Sequence, residues 1–108
     1  MQDDQRDKIV TLLQFAHKAN KIIFGHDAVL RGVRSKKVDM IICAEDLSEN
    51  TKKSIIKHTE NVIIDIFYMG TISLFESLFG KAIGIIGVSD ISFGKGIKKH
   101  FCAKETEV

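Results

Sequence analysis

Lys21-Ile22-Ile23-Phe24-Gly25-His26-Asp27-Ala28-Val29-Leu30-Arg31 reads as a short apolar strand, then a glycine, then the opening of a helix that becomes basic. A strand that enters a helix through glycine leaves the first backbone N–H groups of that helix without intrahelical partners. Together with the helix dipole they form a ready site for an anion such as a phosphate. Arg31 and Arg34 follow at i,i+3 and share one helix face. A surface of this kind suits nucleic acid and several other anions, so the rest of the chain has to decide between them.

Working outward from this stretch, helix and strand signals alternate. Upstream, Ile9, Leu12, Leu13, Ala16 and Ala19 recur at helical spacing and predict an amphipathic helix from about Asp4 to Asn20. Ile22-Ile23-Phe24 is the first strand, and a helix over His26 to Arg34 should bury Val29 and Val33. Ser35-Lys36-Lys37 makes the next turn. Met40-Ile41-Ile42-Cys43-Ala44 is a continuous apolar run, as expected of a strand covered on both faces. Asp46 or Ser48 can cap a third helix, with Asp46 and Glu49 at capping-box spacing. Ile55 and Ile56 are expected to point inward there, and Lys52, Lys53 and Lys57 outward. Val62 to Phe67 reads as a third strand. Gly70-Thr71 opens a fourth helix with Leu74, Phe75, Leu78 and Phe79 as its buried stripe. Ile85 to Ser89 is the last strand, and a helix from about Ser92 to Phe101 closes the domain. This alternation predicts an α/β fold: a three-layer α/β/α sandwich with a four-stranded mixed sheet.

The chain has 108 residues, which fits one domain over 1–108. At this size roughly two-thirds of the unfolded surface can be buried, enough for a core without metal or disulfide staples. The formal net charge of +2 is too small to argue a nucleic-acid partner by itself. Cys43 sits inside an apolar run, where a thiol behaves as a small hydrophobe, and with Cys102 it lacks metal-ligand spacing. The acidic start, Met1 to Asp7, is unlike a signal or transit peptide. No apolar run approaches the roughly 18–20 residues that span a bilayer. The expectation is a cytoplasmic protein with no membrane association and no cofactor.

Catalysis is poorly supported. None of His17, His26, His58 and His100 has the spacing of a metal site. His17 and His58 read as solvent-edge helix residues, His100 as a cation suited to a helix C-terminus. His26 alone lies at a candidate functional loop, with a helix-start role as its plain alternative. Asp65 interrupts an apolar strand; an edge position, or a bond to a neighbouring backbone group, is the preferred reading over a catalytic one. Asp46 lies where open α/β sheets place ligands, but a helix cap accounts for it. Ser89, His26 and Asp90 could be assembled into a nucleophilic triad, though no spacing demands it. The glycines of Gly80-Lys81-Ala82-Ile83-Gly84-Ile85-Ile86-Gly87 precede a strand, the wrong context for a dinucleotide fingerprint. They suggest a flexible turn that another backbone could approach closely.

Three groups of cations stand out. Lys21, Arg31, Arg34, Lys36 and Lys37 surround the first strand–helix junction. Lys52, Lys53 and Lys57 lie on the third helix, and Lys95, Lys98, Lys99 and Lys104 near the C-terminus. The last two groups read as solvated helix faces. The first combines side-chain cations with a helix N-terminus and is the better candidate.

These residues, taken together, resemble the ribosomal-protein superfamily of the L-seven-Ae type, and within it the small bacterial YlxQ-like proteins. The resemblance covers about Lys8 to Phe101. It is carried by Leu13-x-x-Ala16-x-Lys18-Ala19-x-Lys21, by Gly25 with Ala28-Val29-Leu30-Arg31, and by Val33-Arg34-Ser35. Downstream it continues through Ala44-Glu45-Asp46-Leu47-Ser48-Glu49-Asn50-Thr51-Lys52-Lys53, Gly80-Lys81, Ser89-Asp90 and Phe93. The resemblance implies a non-catalytic protein that binds structured RNA, of the kink-turn or ribosomal kind. The RNA would lie on the N-terminus of the second helix and the loop before the last strand. Gly25, His26 and Asp27 would then offer backbone donors and side chains, and Lys21, Arg31 and Arg34 would anchor phosphates. Gly80, Lys81, Ala82 and Ile83 would form the second loop, with an apolar contact to a splayed nucleotide.

The match departs at two base-reading positions. Kink-turn readers carry Asn or Lys where Asp27 stands, and Glu or Gln where Ala28 stands. Arg31 in place of Lys keeps the charge and can bind guanine or phosphate in a bidentate way. One alternative is therefore a protein-interaction module of the same fold that has lost kink-turn specificity. A second, a small-anion or nucleotide-binding enzyme, rests on the strand–glycine–helix junction alone.

Overall fold

The computed structural model describes the backbone of residues 3–101 and the side chains of residues 5–101. Cys102 and Lys104 lie outside the described residues. Nine elements alternate: α1 (Asp3–Lys18), β1 (Ile22–Phe24), α2 (His26–Arg34), β2 (Met40–Cys43), α3 (Glu49–Thr59), β3 (Asp65–Tyr68), α4 (Ile72–Phe79), β4 (Ile85–Val88) and α5 (Ile91–Phe101). The strands form one sheet in the order β1-β4-β2-β3. β4 runs antiparallel to both β1 and β2, whereas β2 and β3 are parallel. The sheet is thus mixed, as the sequence predicts.

Strand side chains alternate between faces, so β2 serves two cores at once. Met40 and Ile42 pack with Ile9, Leu13 and Ala16 of α1, Phe75 and Phe79 of α4 and Ile97 of α5. Ile41 and Cys43 pack on the opposite face with Val29 and Val33 of α2 and Ile55 of α3. All residues of β2 and β4 are buried, which explains why both read as unbroken apolar runs. Phe75 is fully enclosed, and removing its ring would cost about 3–5 kcal/mol.

Several local expectations need correction. β3 begins at Asp65, not Val62, because its parallel ladder with β2 starts at the Met40–Asp65 pair. Val62 and Ile63 precede the ladder and are exposed. Ile56 is 55% exposed while Ile55 is buried. Adjacent helical residues diverge by about 100°, and α3 covers the sheet with a narrow seam of Ile55 and Thr59. Leu74 and Leu78 are half-buried, so the fully buried part of the α4 stripe is Phe75 and Phe79. His17 is half-buried at the helix edge and also packs on aromatic rings. Its ring meets Phe24 and Phe79 edge-on, with centroids 5.4 and 5.3 Å away.

Capping divides differently from the sequence expectation. Ser48 caps α3, its Oγ accepting the Thr51 amide at 3.2 Å. Asp46 serves a different helix, accepting the Ile72 amide of α4 at 2.9 Å. Asp65 stands on the edge strand, as expected, but its carboxylate meets the Lys98 ammonium of α5 at 2.7 Å rather than a backbone group. This bond is the main cause that raises the Lys98 pKa. Gly94 allows α5 to lie directly against Asp39, where a Cβ would collide with the carboxylate.

Candidate nucleic-acid interface

Gly25 is the hinge between β1 and α2, with φ 96° and ψ 153° and no side-chain cap on the helix. An added Cβ would meet nothing within 4 Å. Glycine is required here by the backbone angle, not by crowding, and the space above it is open. The helical ladder begins with the Val29 amide donating to Gly25 O at 2.9 Å. The amides of His26, Asp27 and Ala28 therefore precede the ladder, as the first amides of any helix do.

The second loop lies beside this junction because β1 and β4 are antiparallel. The Gly25 amide donates to Ile85 O at 3.1 Å, and Phe24 stands opposite Ile86. Gly80 ends α4 in the left-handed conformation, φ 76°, with its amide donating to Glu76 O at 2.8 Å. A tight turn follows, in which the Ile83 amide donates to Lys81 O at 2.9 Å. Lys81 and Ala82 are exposed, and Ile83 packs partly on the core under α2 and α3. The Lys81 ammonium lies 4.4 Å from the Phe24 ring centroid, a cation–π contact that ties the loop to β1. Gly84 is shaped by packing, since a Cβ there would strike Leu47.

On the other side of the junction, His26, Asp27, Leu30, Arg31, Arg34 and His58 line a groove of about 340 Å³ between α2 and α3. His26 Nε2 lies 3.1 Å from Ser54 Oγ, and His26 Nδ1 lies 3.3 Å from Asp27 Oδ1. Asp27 is otherwise 94% exposed. Ser54 and His58 escaped the sequence reading as site residues. Their only signal is an i,i+4 spacing on α3, which acquires meaning once α3 packs on α2.

Lys21 does not join this group. It precedes β1 while Gly25 follows it, so the strand separates them by about 13 Å. Lys21 instead lies beside Ser89, which donates its amide at 2.9 Å and its hydroxyl at 3.1 Å to Lys21 O. Lys36 and Lys37 lie in the turn after α2, also away from the junction. On α3, Lys52 is committed to Glu45 O at 2.8 Å and to Glu49 at 3.7 Å.

The remaining candidates are structural. Ser89 and Asp90 follow β4 at the end opposite the Gly25–His26 junction, and Asp90 Oδ1 accepts the Phe93 amide at 3.1 Å. Cys43 is fully buried, and burial pushes its thiol pKa up to about 12, so it is no nucleophile. No group of three or more His, Cys, Asp or Glu side chains among the described residues could hold a metal ion. No helix among the described residues is long and apolar enough to cross a membrane.

The sandwich and the glycine-led helix start define a class, and sequence comparison agrees with it. A family model described as the ribosomal protein L7Ae/L30e/S12e/Gadd45 family matches residues 7–75. The chain belongs to this family. Among individual relatives it is similar to the RNA-binding protein YlxQ of Enterococcus faecium, with 27% identity over 99 residues, covering 92% of this chain and 96% of the relative. Two solved structures share the fold. A protein of unknown function from Bacillus halodurans superimposes with a TM-score of 0.81 at 24% identity, over 86% of this chain and 95% of the other. The 15.5kD RNA binding protein of Giardia lamblia gives 0.77 at 12% identity, over 100% and 93%.

Proposed function

We propose that this protein is a non-catalytic, cytoplasmic RNA-binding protein that docks structured RNA on the N-terminus of α2 and the loop before β4. The observation that carries the reading is the junction itself. An uncapped helix start at Gly25, open above, is joined by one backbone hydrogen bond to the strand that follows the Gly80–Ile83 loop. The family and the RNA-binding relative support the same reading.

In this reading the amides of His26, Asp27 and Ala28 hold a phosphate or a base edge, with the helix dipole adding attraction. Arg31 and Arg34 neutralise neighbouring phosphates. Lys81, Ala82 and Ile83 receive an unstacked nucleotide, which finds apolar surface at Ala82 and Ile83 and charge at Lys81. Lys21 is left out because the length of β1 removes it from the junction.

Kink-turn RNA is the proposed target class. A gel shift should compare a kink-turn RNA with a partner RNA lacking the sheared guanine–adenine pairs. Preference for the kink-turn supports the proposal. Equal binding to both rejects kink-turn recognition and keeps general RNA binding. Absence of binding to either, with protein purified free of nucleic acid, favours the protein-interaction module. That alternative rests on Ala28, which offers no side-chain hydrogen bond, and on Asp27, whose carboxylate is turned to His26.

A further inference from the structure

We propose that the groove between α2 and α3 is a second phosphate subsite, continuous with the α2 N-terminus, in which His58 takes up a proton as an RNA backbone phosphate docks. The inference rests on the RNA-binding reading above and extends the interface onto α3.

The groove has one acidic wall residue, Asp27, and two guanidinium groups, Arg31 and Arg34. Asp27, Arg31 and Arg34 fall at i, i+4 and i+7, so they run along one face of α2 from its start to its end. The opposite wall is His58, whose ring stands edge-on to His26 with centroids 6.3 Å apart. Ser54 Oγ lies between them, 3.1 Å from His26 Nε2 and 3.4 Å from His58 Nδ1.

The partners fix which ring nitrogens carry protons. His58 Nδ1 lies 2.8 Å from Ser54 O, and a carbonyl only accepts, so Nδ1 bears the hydrogen. In the neutral ring the other nitrogen, Nε2, is then a bare acceptor, which repels an anion. Protonation turns Nε2 into a charged donor. His26 differs: its Nδ1 donates to the Asp27 carboxylate and its Nε2 is engaged by Ser54, so both nitrogens are occupied. His26 therefore orders the wall, and His58 is the group free to respond. The charges facing the pair are Asp27, Arg31 and Arg34 of α2, and Lys57 flanks His58 along α3. A phosphate that enters between Arg31, Arg34 and His58 places a negative charge against the ring and favours its charged, donating form. Binding and proton uptake are thereby linked.

The test measures the affinity of the full chain for the kink-turn RNA at about pH 5.5 and about pH 8, at several salt concentrations. Wild-type affinity should weaken about tenfold across this range, the scale of one charge-assisted contact. His58→Gln should lose most of that dependence. Its salt slope should be smaller than wild type by about one at the lower pH and equal to it at the higher. Asp27→Asn, which leaves His58 in place, should retain the pH dependence. Binding that is flat with pH in wild type, or a full pH response in His58→Gln, overturns the subsite and leaves the α2 junction standing. Failure to bind at either pH overturns both.

Discussion

Asp46 Oδ1 accepts the backbone amide of Ile72 at 2.9 Å, joining the loop after β2 to the first turn of α4. Thr71 supplies the ordinary cap of the same helix, its Oγ1 accepting the Leu74 amide at 3.1 Å. Two oxygens from separate parts of the chain thus serve one helix start. Asp46→Ala should lower stability by about 1 kcal/mol, the usual worth of a helix cap. Thermal unfolding should show a midpoint lower by about 4–8 °C per kcal/mol for a domain of this size. An unchanged midpoint would remove Asp46 from the account of α4.

Gly25 and Gly80 provide a contrast. Both have open space where a Cβ would go, so neither substitution causes a clash. Their backbones differ. Gly80, at φ 76° and ψ 13°, lies in the left-handed helical region, where alanine is strained by about 1–2 kcal/mol. Gly25, at φ 96° and ψ 153°, lies in territory that is nearly glycine-only, where strain reaches about 1–3 kcal/mol. Gly25→Ala should destabilise more than Gly80→Ala in urea titration, and Gly80→Asn should recover part of the Gly80→Ala loss. Gly25→Ala should also weaken RNA binding, since relief of its strain moves the α2 amides.

Arg31 is exposed and has no ion pair among the described residues. Its removal should leave stability within about 0.5 kcal/mol of wild type. RNA affinity should fall, and the slope of log affinity against log salt should decrease by about one. A salt slope equal to wild type would place Arg31 outside the RNA contact.

Cys43 is fully enclosed beneath α2 and α3, and its thiol is held neutral by burial. In a Cys102→Ser background, an aromatic disulfide reagent at about pH 8 should label nothing in the folded protein and one thiol after unfolding in denaturant. Rapid labelling without denaturant would contradict the enclosed position of β2.

His100 gives a pH signature of stability separate from RNA. Burial is the main cause that lowers its pKa, with Lys8 and Lys99 adding repulsion. The unfolded chain then binds more protons than the folded one between the lowered value and the ordinary value near 6.5. Stability should therefore be greatest above that ordinary value and decline as pH falls through the window. His100→Gln should flatten this part of the curve, measured by denaturant midpoints from about pH 5 to 7.

The layered architecture was legible because its signals are local or periodic. β2 and β4 announce themselves as unbroken apolar runs, and α1 by Ile9, Leu13 and Ala16 at helical spacing. The errors come where a local pattern competes with a distant partner. Val62 and Ile63 look like strand, but only pairing with Met40 decides where β3 begins. Asp46 has the spacing of a cap for α3, yet its oxygen turns to α4. The site divides in the same way. Gly25 and the Gly80–Ile83 loop stand out by residue type, whereas Ser54 and His58 enter only through packing of α3 on α2. Lys21 is near Gly25 in sequence, yet the length of β1 sets the two at opposite ends of the strand.

The hydrogen bond from Gly25 to Ile85 O ties the helix start to the pairing of β1 with β4. Each half of the junction is local, but the two segments face each other only across the β1–β4 pairing. Fraying that edge separates them, so the two-sided surface is lost with the β1–β4 pairing. On the proposed function, RNA seated on both segments acts as a clasp on the sheet margin. Amide hydrogen exchange along Ile22–Phe24, normally vulnerable as an outermost strand, should slow when that clasp is engaged.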